Sequence, residues 1–272
     1  MIRKILAPTD FSPNAAKALD YAIYIANETG AELYVLNTYE VPTATGHFVP
    51  MEGLVREDRL EELNDLLAAL RPKMRNEDKL KGLLKEGSSV SAICYQADEI
   101  KADLIIMGTQ GASGLKKILV GSTTANVLQN TKIPVLAVPY EVGGYALQNI
   151  TIALDANKLP DPFVLNPAIG LGRQFKSVFN LVHMVADGQS VNDSTIDENV
   201  QDHFKQFDIP YTYFKVQTND VEGGLLDFAR RKNTNLLCVI THQKSWFSRL
   251  FFGSVSKQLA MDSTIPLLVL HD

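Results

Sequence analysis

Short runs of consecutive apolar residues recur along the chain, separated by longer stretches in which apolar residues return every third or fourth position. The runs Arg3 to Ala7, Glu32 to Thr38, Lys81 to Lys85, Asp103 to Met107 and Val135 to Val138 suit strands buried on both faces. The stretches between them read as helices. The first opens with Ser12 as N-cap and Pro13 at the first helical position, then sets Leu19, Ala22, Ile23 and Ala26 on one face. A second places Leu60, Leu63, Leu67, Leu70 and Met74 at helical spacing, and a third does so with Ile93, Ala97 and Ile100. Strands that are apolar throughout and alternate with amphipathic helices predict an α/β unit, a parallel sheet covered on both sides. Ligands of such sheets bind beyond the carboxyl ends of the strands, so the residues just after each strand are the ones to inspect.

The pattern occurs twice. Ala102 to Val138 lies over Thr234 to Leu270 at a constant offset of 132 without a gap, matching Leu104 with Leu236, Thr109 with Thr241, Gly121-Ser122 with Gly253-Ser254 and Ile133-Pro134 with Ile265-Pro266. The starts also correspond, through Ile5 to Asp10 and Thr151 to Asp155. Gly143-Gly144 interrupts the periodicity between the copies, giving a first domain over 1–140 and a second over 145–272.

Composition narrows the function classes. The 272 residues carry a formal net charge of −5, with 15 basic against 17 acidic residues before position 141 and 11 against 14 from position 141 onward. Neither half offers the positive field that gathers nucleic acid or anionic lipid. No apolar run approaches the roughly 20 residues of a membrane span, and the N-terminus reaches Pro8, Thr9 and Asp10 too early for a signal-peptide core. The two distant cysteines, Cys94 and Cys238, do not make a disulfide framework, and a cytoplasmic protein is expected.

The candidate chemistry follows the fourth strand. Met107-Gly108-Thr109-Gln110-Gly111-Ala112-Ser113-Gly114 spaces three glycines at intervals of three, which frees backbone to turn and to lie close against a ligand. Gly121-Ser122-Thr123 then starts a helix whose unpaired N–H groups and positive dipole end favour an anion. Taken one at a time these glycines could serve turns only; as a spaced set followed by a helix start they read as a phosphate cradle in two parts. Asp10 stands at a strand's carboxyl end, suited either to a nucleotide or metal or to the dipole of the following helix. Lys116 and Lys117 could reach phosphates or be solvated.

Gly108-x2-Gly111-x9-Gly121-Ser122 resembles the nucleotide-binding signature of the universal stress protein family. Pro8-Thr9-Asp10-Phe11-Ser12 is similar to that family's start, and Ile133 to Val138 to its last strand. The resemblance spans both copies. It implies a five-stranded sheet in the order 3-2-1-4-5 in each half, the halves pairing as a pseudo-dimer through their last strands, with a homodimer left open. It further implies ATP, with or without Mg, as ligand, a stress-related regulatory role, and at most slow hydrolysis. Carried over by position, Pro8, Thr9 and Asp10 would border the nucleoside and Thr38 would face adenine. Met107, Gly108, Thr109, Gly111 and Gly114, with Gly121, Ser122 and Thr123, would hold ribose and phosphates.

The second copy breaks the cradle, because Ile240, Gln243 and Trp246 replace Gly108, Gly111 and Gly114. It is expected not to bind ATP in the same way, although Asp155 and Gly253-Ser254 persist. Its aromatic run, Trp246 to Phe252, needs burial in its own domain or against a partner. The five histidines lack ligand spacing for zinc, and Walker, dinucleotide and Gly-x-Ser-x-Gly patterns are missing, so no catalytic residue can be named. Two alternatives stay open: a nucleotide-free interaction module, and an ATP-consuming nucleotidyl transferase or pyrophosphatase of related topology.

Overall fold

The computed structural model describes residues 2–41, 51–109, 121–154, 161–185, 198–241 and 264–272. The first half runs β1 (Lys4–Thr9), α1 (Pro13–Thr29), β2 (Glu32–Tyr39), α2 (Met51–Leu70), β3 (Leu80–Glu86), α3 (Ser89–Glu99), β4 (Leu104–Gly108), α4 (Ser122–Asn130) and β5 (Val135–Val138). The second runs β6 (Asn149–Leu154), α5 (Asn166–Phe175), β7 (Val178–Val185), α6 (Glu198–Gln206), β8 (Tyr211–Gln217), α7 (Val221–Arg231), β9 (Leu236–Thr241) and β10 (Leu267–His271).

Each half is parallel and carries its strands in the order 3-2-1-4-5, counted from its own first strand. The halves meet edge to edge. Leu267, Leu268 and Val269 of β10 pair antiparallel with Ala137, Leu136 and Val135 of β5, so the whole is one ten-stranded sheet. All four residues of β5 are buried, and an uncovered edge of this composition would invite aggregation. On one face, α1, α2, α5 and α6 cover a core that includes Ile5, Val35, Leu136, Ile152 and Leu268; on the other, α3, α4 and α7 cover Leu6, Ile105, Val182 and Val239. Aromatic contacts seal the joint on the first face. Tyr145 packs against Tyr21 and Tyr24 at 5.6 Å, and Tyr24 stacks on Phe175 at 5.4 Å.

Local chemistry accounts for the element ends. Ser12 accepts a hydrogen bond from Ala15 N–H at 3.2 Å with Pro13 next to it, and Gly30 closes α1 at φ 70°. The helical spacing that reaches Met74 overshoots the helix. Pro72 lacks the N–H needed to continue it, so α2 ends at Leu70, a 3-10 turn follows, and Met74 is buried beyond that turn. Cys94 and Cys238 are both free thiols; burial pushes both up, and Cys238 is wholly enclosed.

Two enclosed imidazoles set an acid limit on the fold. His203 Nε2 donates to Asn166 Oδ1 at 2.8 Å between the rings of Phe163 and Phe207, and His271 Nδ1 lies 3.0 Å from Thr241 Oγ1. Burial holds both below the usual histidine range, opposed at His203 by the charge of Asp161. The folded chain therefore takes up these protons less readily than the unfolded chain. Stability is full above the ordinary histidine value of about 6.5 and falls as pH drops through it toward the folded values. Thermal unfolding followed from pH 8 to 5 should show Tm declining below about pH 6.5, with a shallower decline in His203→Gln. A flat profile in the parent chain would contradict this.

Candidate functional site

The segment from Pro8 to Ser12 turns the end of β1 into α1, and its polar side chains build the turn. Thr9 Oγ1 accepts from Phe11 N–H at 3.1 Å and Asp10 Oδ1 accepts from Ser12 N–H at 3.0 Å. Phe11 sits between them at φ 61°, a left-handed conformation uncommon for an aromatic residue. Asn37 Nδ2 donates to Thr9 C=O at 2.8 Å, fixing the end of β1 to β2. Asp10 is thus a helix-entry residue, exposed at the rim of the site.

Two contacts bring the end of β4 to the start of α4. Gly121 N–H donates to Thr109 C=O, and Thr124 Oγ1 donates to Gly108 C=O at 2.8 Å. Thr109 N–H in turn bonds Val138 C=O at 3.0 Å. Gly121 is the N-cap of α4 and brings no side chain to the first N–H groups of the helix. Ser122 and Thr123 follow it at the helix start, where the first N–H groups and the positive end of the helix dipole favour an anion.

Between these elements lies a cavity of about 240 Å³ beyond the carboxyl ends of β1, β2 and β4. Nine of the residues expected from sequence line it: Pro8, Thr9, Asp10, Thr38, Met107, Gly108, Gly121, Ser122 and Thr123. Thr109 instead ties the base of the loop through the two backbone bonds above. Gly111, Gly114, Lys116 and Lys117 lie outside the described residues, as do Gln243, Trp246 and Gly253-Ser254 of the second half. Sequence reasoning missed Ala15, Leu36, Ser89, Ile93 and Thr124, which also line the cavity. Ser89 had a signal, since Gly87-Ser88-Ser89 follows a strand and opens a helix; Ala15, Leu36 and Ile93 resemble any other core residue.

Gly108 answers to packing as well as to the cavity. A Cβ there would stand 2.8 Å from Asn14 Nδ2 and 3.1 Å from Asn14 C=O, so only glycine lets the start of α1 approach β4 this closely. The missing side chain points toward α1, which explains how the second half dispenses with glycine. Ile240, its counterpart, is 3% exposed in the core on the face covered by α5. Gly108→Ala should displace Asn14 and the cavity wall with it, costing about 1–3 kcal/mol; urea unfolding showing no loss would mean the contact relaxes freely.

The model of the Universal stress protein family matches residues 1–139 and 147–271. Universal stress protein MJ0531 of Methanocaldococcus jannaschii is 38% identical over 143 residues, covering 51% of this chain and 82% of its own length. Universal stress protein YxiE of Bacillus subtilis is 32% identical over 148 residues, 51% of this chain and 99% of its own. Among solved structures, a universal stress protein from Archaeoglobus fulgidus aligns over 98% of this chain and 95% of its own at TM-score 0.72 and 19% identity, a likeness of fold.

Proposed function

The chain belongs to the universal stress protein family, and on that footing we propose that its first half binds ATP and that the protein acts as a nucleotide-responsive regulator in stress response. The observation that supports this most is the cavity beyond β1, β2 and β4, which is lined by the N-terminus of α4 at one end and has apolar walls from Leu36, Ile93 and Met107. Phosphates belong at Gly121, Ser122 and Thr123, where N–H groups and the helix dipole offset their charge. Neighbouring strands are about 4.8 Å apart, so β2 lies roughly 10 Å from β4 across β1. That span suits a nucleoside laid across the strand ends, with its base toward Thr38. Pro8, Thr9 and Asp10 border its middle, and Gly111 and Gly114 belong to the loop that would complete the cradle.

The residues present fit such a ligand, because backbone donors meet anionic oxygens and side-chain methyl and methylene groups meet a flat base. Magnesium, which retains several waters and needs only one or two carboxylates beside phosphates, could take Asp10 as its one protein ligand. We read the site as a holder of nucleotide rather than a turnover enzyme. The second half keeps the fold without the cradle and contributes the other side of the joint at β5 and β10.

Nucleotide analysis of the purified chain after denaturation tests the reading. Co-purified adenine nucleotide, or uptake on incubation with ATP, is expected; product analysis then separates holder from hydrolase. A chain that neither carries nor takes up adenine nucleotide would reject the proposal.

A further inference from the structure

At the end of the cavity away from α4, two hydroxyls face each other across the sheet surface. Thr38 Oγ1 on β2 and Ser89 Oγ at the first position of α3 are 2.8 Å apart, both are half-buried, and both line the cavity. Either can donate, so of their two O–H protons the contact uses one. The pair can thus give one hydrogen bond and accept others, and each hydroxyl can rotate to suit.

The duplicated half shows that the fold does not require this pair. Asn37 pairs with Thr9, the last residue of β1, and His183 pairs with Leu154, the last residue of β6, so the following residues, Thr38 and Met184, occupy the same position. Ser89 and Val221 likewise both stand first in their helices, α3 and α7, after the caps Ser88 and Asp220. In the second half Met184 is 6% exposed and belongs to the apolar cluster against which the half-buried Val221 packs, its methyl reaching the first turn of α7 at Gly224. The same junction closes on apolar side chains there. Two hydroxyls in the first half, placed at the mouth of a cavity, add polar capacity that packing alone would not select.

We infer that the Thr38–Ser89 pair reads the polar edge of the nucleotide base and so determines base specificity. The inference rests on the nucleotide reading above. With phosphates at α4, the far end of the ligand reaches β2 and the first turn of α3, where Leu36 and Ile93 supply contact with the base face and the two hydroxyls are the polar groups facing its edge. An exocyclic amine donates to a hydroxyl oxygen, and a ring nitrogen accepts the O–H that the pair does not use internally. A base without the amine leaves one of these groups unpaired, which is how a small polar constellation discriminates.

The test compares ATP with purine riboside triphosphate, which carries hydrogen in place of the 6-amino group, by calorimetry on the full chain. The parent should prefer ATP by at least about tenfold. Thr38→Val combined with Ser89→Ala, nearly isosteric changes, removes the hydrogen bond to the ring nitrogen from both ligands and the one from the amine from ATP alone. ATP should therefore weaken about tenfold more than the analogue, and the preference should approach one. The ratio of ATP to ADP affinity, set at the other end, should not move; a merely structural role would weaken all three ligands alike. A double variant that keeps the parent's preference, or a parent with none, overturns this inference alone. A parent chain that binds neither triphosphate removes the nucleotide reading and this inference with it.

Discussion

Replacing Ser122 by glutamate should reduce ATP affinity at least a hundredfold while leaving the fold as stable as before, or slightly more so. Ser122 is exposed and is the first residue of α4, after a glycine cap that supplies no side-chain acceptor, and the first turn carries no acidic residue. A carboxylate there meets the positive end of the helix dipole, worth about 0.3–1 kcal/mol to the free protein. It also stands where the phosphates are proposed to lie. Two like charges about 4–5 Å apart at an effective dielectric of about 20 repel by about 3–4 kcal/mol, and a hundredfold loss needs only about 2.8 kcal/mol. Binding and stability thus move in opposite directions, which a disrupted fold would not produce. Titration and thermal unfolding of the same sample check both, and undiminished affinity would put the phosphates elsewhere.

The second large effect is expected at the joint. Leu268 is fully buried in β10, with Leu136 beside it on the antiparallel side and Cys238 on the parallel side. Leu268→Asp forfeits about 2 kcal/mol of apolar burial and encloses a carboxyl group, which costs several kcal/mol more. Against a total of about 5–15 kcal/mol, a loss of about 4 kcal/mol or more removes a quarter or more of the stability. Circular dichroism and urea unfolding would show it; a fall below about 1 kcal/mol would mean that the two halves do not depend on this pairing.

Much of the architecture was legible because its determinants are local. The apolar run Lys81 to Lys85 falls inside β3, and Val135 to Val138 coincides with β5. Ser12-Pro13 marks the start of α1 through a cap that needs only three neighbouring residues. The candidate site was legible where a motif sits at a strand end or helix start, as at Pro8 to Asp10 and Gly121 to Thr123. What escaped was set by contacts distant in sequence. Ser89 joins the cavity only because β3 returns the chain beside β2, and the steric demand at Gly108 comes from Asn14, on another element. The antiparallel register between β5 and β10 depends on both halves folding together, so neither strand's composition encodes it alone.

The proposed function requires one nucleotide site per chain, in the first half. Isothermal titration of the full chain with ATP tests it most directly. A single class of site with stoichiometry near one is expected, lost in the Ser122→Glu variant. No saturable binding, or two equivalent sites per chain, would contradict it.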